Sequence, residues 1–179
     1  MNKRAWLNQL ALVTLALVIV LGIRQFVLTP IEIDGKSMEP TFYNGEKLMM
    51  EQVSYWFNEP RRFDVIVFEA SKSKDYIKRV IGLPGEDIYY QDNNLYINGE
   101  QEDEPFLTVT GKGHAKTDDF ILEDIDDKNS QIPDDHYLVL GDNRNNSQDS
   151  RTIGLIHKEQ IKGRAFIRYW PLKKISMIN

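Results

Sequence analysis

The chain has 179 residues, 41% of them hydrophobic, no cysteine and a formal net charge of −5. That length fits one soluble domain plus an appendage, and the lack of thiols excludes disulfides, a thiolate nucleophile and cysteine metal sites. The first 28 residues carry Lys3, Arg4 and Arg24 with no acid, so +3, which leaves −8 on the remaining 151; this polarity argues against nucleic-acid binding and for a membrane anchor.

Leu10 to Ile23 is interrupted only by Thr14 and Gly22. Such a run suits a membrane helix or the hydrophobic stretch of a signal peptide. Extended from Trp6 to Leu28 it makes about 34 Å of helix, against roughly 30 Å of hydrocarbon. Asn8, Gln9, Arg24 and Gln25 fall near the ends, where polar side chains reach the headgroups, and Trp6 suits the interface. Lys3 and Arg4 predict a cytoplasmic N-terminus with the body outside. No small-x-small cleavage site follows Ile23, which favours an uncleaved signal-anchor over a removed signal peptide. A buried core helix is disfavoured by the lack of a polar face. Residues 1–28 are thus the cytoplasmic tip and anchor, and 29–179 an extracytoplasmic domain.

Short strands follow. Ile31 to Asp34 alternates before the Asp34-Gly35 turn, and Lys47 to Val53 is a second candidate. Between them lies Ser37-Met38-Glu39-Pro40-Thr41. An extended chain covers at most about 3.5 Å per residue, so Ser37 lies within about 30 Å of Leu28, at the membrane surface if the anchor spans it. Glycine before and proline after suit a hydroxyl held at an exposed bend, or an ordinary polar loop. Tyr55-Trp56-Phe57 reads as core or as an aromatic patch at the lipid interface. Asp64 to Phe68 reads as a buried strand. Ser71 to Asp75 is a polar turn whose Ser-x-x-Lys pattern lacks its companion motifs.

Tyr76 to Ile81 is a strand stopped by Gly82-Leu83-Pro84-Gly85. Lys78 and Arg79 within it must point to opposite faces. Ile88–Gln91 and Leu95–Asn98 form a hairpin about Asp92-Asn93-Asn94. Residues 101–135 hold 11 acids and 3 lysines and read as a surface insertion or small second lobe. Asp124 to Asn129 lacks the glycine and spacing of a calcium loop. His136 to Leu140 is a strand. Gly141 to Arg151 follows without an apolar side chain, so it must satisfy itself through a hydrogen-bonded network or lie in water. Its Asn145-Asn146-Ser147 also matches a glycosylation acceptor. Lys158 to Lys162 reads as a helical turn and Ala165 to Trp170 as a closing strand.

Catalysis by Ser37 needs a base. His114, His136 and His157 read as surface positions without metal-ligand spacing. Lys78 is the other candidate, because desolvation can bring an amine into working range; its alternative is a lysine paired with an acid on a sheet edge.

Taken together, Ser37–Thr41, Asp64–Phe68, Tyr76–Glu86 and Gly141–Arg151 resemble, in order and behind an N-terminal anchor, the signature boxes of bacterial type I signal peptidases, of the Gram-positive branch. The resemblance runs from the anchor to about Pro171, excluding the variable insertion 101–135. It implies a mainly β, signal-peptidase-like fold preceded by one transmembrane helix. The implied activity is a membrane-anchored serine endopeptidase that removes signal peptides from exported preproteins after small residues. It implies no cofactor and no metal. Ser37 matches the nucleophile and Lys78 the general base. Ser147 matches the serine that orients the lysine. Asp142 and Asp149, with Arg79 and Arg151, match the charged residues that brace the site. The Ser37 backbone N–H and the Gly35 region are expected to hold the oxyanion; Gly35 stands where some relatives have a serine. Met38, Ile77 and Val80 are expected to shape the substrate pocket. Signal peptides, cytoplasmic-membrane lipid and the secretion translocon are the expected partners, and no nucleic acid. A self-cleaving repressor of related fold is disfavoured because an apolar anchor stands where a DNA-binding domain belongs. An inactive peptide-binding relative is disfavoured because Ser37 and Lys78 are both present.

Overall fold

The structure is a computed structural model that describes residues 3–26, 28–72, 74–108 and 116–178. It opens with helix α1 (Lys3–Phe26) and strand β1 (Leu28–Glu32), then β2 (Lys47–Glu51), the helical turn α2 (Ser54–Phe57), β3 (Val65–Ser71) and β4 (Lys74–Gly82). Next come β5 (Ile88–Gln91), β6 (Asn94–Ile97), β7 (Glu100–Glu102), α3 (Pro105–Thr108) and β8 (Phe120–Ile121). The chain closes with β9 (His136–Leu140), α4 (Ser150–Ile153), β10 (Ile156–His157), β11 (Ile161–Trp170) and β12 (Ser176–Met177). The fold is mainly β, as the sequence predicted, and its strand pairs are antiparallel.

An eight-stranded sheet runs β1-β2-β11-β3-β4-β9-β10, with β12 on β11. Val65–Phe68 are all buried because β3 lies inside the sheet, between β11 and β4, and packs on both faces: Val65 joins one core cluster, Ile66 and Phe68 another. A second sheet runs β7-β6-β5-β8. Its hairpin turns at Asp92 and Asn93, both at positive φ (50° and 65°), which a two-residue turn between twisted strands requires.

That sheet reaches upstream of the acidic stretch 101–135, because its central pair is β5 and β6. Nor is it detached. Ile88, Tyr90 and Leu95 bury one face against Ile81 of β4 and Leu138 and Leu140 of β9. Alternation hides this, since every second residue of β5 and β6 looks like ordinary solvent-facing sheet.

The aromatic run also divides. Tyr55 is half-buried and donates to Asp64 Oδ2 at 2.9 Å. Trp56 and Phe57 are 59% and 81% exposed. In α1, the described side chains from Trp6 to Val18 are all exposed. Among the described residues no helix is long and apolar enough to cross a membrane. His114 lies outside the described residues, as do the side chains of Lys3, Arg4 and Arg24.

Candidate active site

Ser37 sits where a turn lifts one side chain out and drives the next one in. Gly35 has φ +103°, a conformation open to glycine and strained for other residues. Two short bonds close the bend: Glu39 N–H donates to Lys36 O at 3.1 Å, and Phe42 N–H to Met38 O at 2.9 Å. Met38 and Phe42 are buried with Ile33 and Leu48 and root the loop in the core. Ser37 is left half-buried. The Gly35 N–H donates to Asn44 Oδ1 at 2.8 Å. This corrects the expectation for the Gly35 region: that donor is committed to Asn44, and the Ser37 N–H remains as the candidate oxyanion donor.

Lys78 lies mid-strand in β4, opposite Ile66 of β3. Both it and Arg79 are 3% exposed, so strand alternation sends two buried cations to opposite faces. Lys78 Nζ donates to Ser37 Oγ and to Ile77 O, each at 2.9 Å, and sits 5.1 Å from the Tyr76 ring centroid. Burial pushes the amine down to about 8, against the pull of the Asp149 and Asp142 carboxylates. A lysine at that value is neutral in a substantial fraction at neutral to mildly alkaline pH. Its lone pair can then accept the Ser37 proton across the same contact.

The Gly141–Arg151 loop satisfies itself as a network. Asp142, fully buried, accepts from Arg79 Nε at 2.9 Å and Nη2 at 2.6 Å, and from Thr41 Oγ1. Asp149, also fully buried, accepts from Arg151 Nε at 2.9 Å and Nη2 at 2.8 Å, and from Gly141 N–H at 3.1 Å. Burial raises the Asp149 carboxyl, but Arg151, with the Gly141 N–H and Ser147, outweighs it and holds the group below its ordinary value. Asn143 grips the serine turn, its N–H donating to Ser37 O and its Nδ2 to Lys36 O, both at 3.0 Å.

Ser147 departs from its expected role. Its buried Oγ lies close enough to Asp149 to lower that carboxyl, but it makes no full hydrogen bond and is not among the partners of Lys78. Gly141 explains its place. A Cβ there would collide with Ser147 Oγ and come within 2.5 Å of Ser37 O. Gly141→Ala should therefore displace Ser37. We expect about 100-fold less activity, as for a misplacement of about 1 Å, with only about 1–3 kcal/mol lost in stability. Initial rates and thermal melts on one preparation check this.

A cleft of about 390 Å³ opens beside Ser37 and Lys78, walled by Ile31 and Ile33 on one side and by Val67, Tyr76, Ile77 and Gln148 on the other. Of the three expected pocket residues, Ile77 lines it. Met38 and Val80 are corrected: they are 1% and 0% exposed and pack in separate core clusters. Sequence reasoning missed Ile31, Ile33 and Gln148. The first two carried a signal, the apolar phase of an alternating strand near the serine. β9 pairs with β4 only from Arg79 onward, so along Asp75–Lys78 the side of β4 away from β3 has no strand partner among the described residues. β1 is likewise a sheet edge.

His136 and His157 pack edge-to-face, ring centroids 4.9 Å apart, on the paired strands β9 and β10, and neither lines the cleft. Among the described residues no cluster of three or more histidine or acidic side chains could hold a metal ion.

Comparison with known proteins adds three findings. The family described as signal peptidase, peptidase S26, matches residues 6–170. Signal peptidase IB of Staphylococcus aureus is 39% identical over 180 residues, covering 97% of this chain and 94% of the relative, and signal peptidase I of Bacillus caldolyticus is 43% identical over 164 residues, covering 90% of each. The crystal structure of a signal peptidase I from Enterococcus faecalis aligns with TM-score 0.52 at 38% identity, covering 60% of this chain and 97% of that one.

Proposed function

The chain belongs to the signal peptidase family, peptidase S26, and from that premise we propose that it cleaves signal peptides from exported preproteins with Ser37 as nucleophile and Lys78 as general base. The observation that carries this reading is the 2.9 Å contact between the Lys78 amine and the Ser37 hydroxyl, with burial holding that amine at about 8.

Neutral Lys78 takes the Ser37 proton as Oγ attacks the scissile carbonyl. The resulting ammonium returns a proton to the leaving amine, and the amine so regenerated activates the water that releases the acyl group. The Ser37 N–H is the oxyanion donor. A precursor strand pairs with the free edges of β1 and β4, and the walls of the cleft admit small side chains. Arg79 with Asp142, and Arg151 with Asp149, brace the loop behind the dyad.

The same reading makes residues 1–28 a single-pass anchor, with the N-terminus cytoplasmic and residues 29–179 outside. Three observations support it. The backbone is helical over Lys3–Phe26, about 36 Å at 1.5 Å per residue. Trp6, Leu7, Leu12 and Val13 are all more than half exposed, and an apolar face of that kind calls for a lipid cover. Trp56 and Phe57 protrude beside a groove that Leu28 shares with Phe57, at the level where the anchor ends. Membrane lipid is then a partner, and the translocon a neighbour at the same surface.

Cleavage of an exported precursor by the full chain in detergent tests the reading. Below the value of Lys78 the ammonium has no lone pair, so kcat/KM should rise as pH increases through about 8. Product sequencing should place the cut after a small residue. A rate that stays flat through that range, or a cut after large residues, contradicts it.

A further inference from the structure

Arg144 stands in the middle of the Gly141–Arg151 loop, and its guanidinium reaches across to Tyr90 of the other sheet and to the segments beside that sheet. Its side chain is fully buried. Nη1 donates to Tyr90 Oη at 2.9 Å, Thr117 Oγ1 at 2.8 Å and Glu104 Oε2 at 3.2 Å, and Nη2 pairs with Glu104 Oε1. Nε turns back to Gly141 O at 3.1 Å, and the Arg144 carbonyl accepts from Arg151 Nη2 at 2.8 Å. Two residues past Glu104, the Phe106 ring centroid lies 4.0 Å from Arg79 Cζ, and Phe106 packs edge-to-face on Phe63, whose carbonyl accepts from Arg79 Nη1. One short segment beside the small sheet thus touches two arginines behind the dyad: Arg144 of the catalytic loop and Arg79, the partner of Asp142.

We propose that Glu104 and Phe106 are positioning residues for Lys78, acting through Arg144 and Arg79 to hold the catalytic loop and keep water from the amine. The proposal rests on the reading of Lys78 as base. Among the described residues Glu104 is the carboxylate bound to the Arg144 guanidinium, and removing it leaves a buried cation that must draw in water or shift. Either response moves Gly141, which Arg144 Nε holds, and Gly141 abuts Ser37 and Ser147. Phe106 covers the guanidinium that orients Asp142, a planar cation against an aromatic face.

The charges facing Lys78 fix the sign of the effect. Asp142 and Asp149 of the loop attract its ammonium, and Arg79 and Arg151 compensate them. Asp75 and Tyr76 precede it on β4, and Glu32 of β1 and Asp34 just beyond that strand share its cleft. All of these favour or leave unchanged the charged form except the two arginines, so desolvation is what keeps the amine low. A loosened loop admits water and moves it up.

The test uses the full chain in detergent, with Glu104→Gln and Phe106→Leu, a precursor substrate, and active sites counted from the burst of the first turnover. We expect kcat per active site to fall about tenfold with KM within about twofold, as for misplaced catalytic groups. The rising limb of the pH profile should move up by about half a pH unit or more. If one variant fails to fold, the other decides. Fewer active sites with an unchanged kcat per site and an unchanged limb would be a stability effect and would overturn the proposal. Lys78→Ala, run alongside, separates the two ideas: full cleavage by that variant removes the base itself, whereas its inactivity beside wild-type behaviour of the other two removes only the clamp.

Discussion

Lys78→Ala should leave the chain folded and lower kcat for precursor cleavage by about 10⁴-fold, the upper range for a general base that also activates the nucleophile. The side chain lost is 3% exposed, and among the described residues its amine bonds to Ser37 Oγ and Ile77 O alone. Truncation therefore removes a buried, partly desolvated amine rather than a keystone ion pair, and stability should hold or rise. Ser37→Ala should cost as much, and the double variant little more than either, because the two groups act as one unit. Lys78→Arg should not rescue. A guanidinium stays protonated, so it has no lone pair for the Ser37 proton. Replacement of His136 or His157 should leave activity intact, because neither ring reaches the cleft. Single-turnover assays at pH 8 on the six proteins check the set.

Asp142→Ala should have the largest effect on stability, about 3–5 kcal/mol, the range for removing one partner of a buried pair. Arg79 is 3% exposed and would keep only the Phe63 carbonyl, while Thr41 would lose its acceptor. For a domain of this size that is about 6–20 °C in Tm, at about 2–4 °C per kcal/mol. Activity should fall with it, since Thr41 closes the loop that begins at Ser37. The mechanism makes a second demand. Removing both charges, as Asp142→Leu with Arg79→Met, should cost less than Asp142→Ala alone, because no ion is then left buried without a partner. Thermal melts of the three variants decide this.

The residues easiest to read in the sequence were those whose neighbours constrain them. Lys78 and Arg79 are two cations in an apolar strand, and alternation alone required opposite faces; the structure buries both. Ser37 was legible as a bend between glycine and proline. Gly141–Arg151 was legible as a polar run that had to bond to itself. Met38 and Val80 were misassigned because composition does not say which apolar residues face the cleft and which face the core. Glu104 was invisible for a different reason. Its partner Arg144 lies 40 positions away, and no local pattern links them. The extent of the small sheet was not legible because β5 and β6 look complete as a hairpin until β7 and β8 are seen to extend it. The two-residue β12 has too few positions to show any periodicity.

The dyad makes its most direct claim about a bond. Rapid-quench mass analysis of the full chain mixed with a precursor should find a transient species heavier by the mass of the free signal peptide less one water, and peptide mapping should put that mass on Ser37 as an ester. It should be absent from Ser37→Ala, and should form at least about 10⁴-fold more slowly in Lys78→Ala. An adduct on any other residue, or wild-type cleavage by Ser37→Ala, would contradict the account.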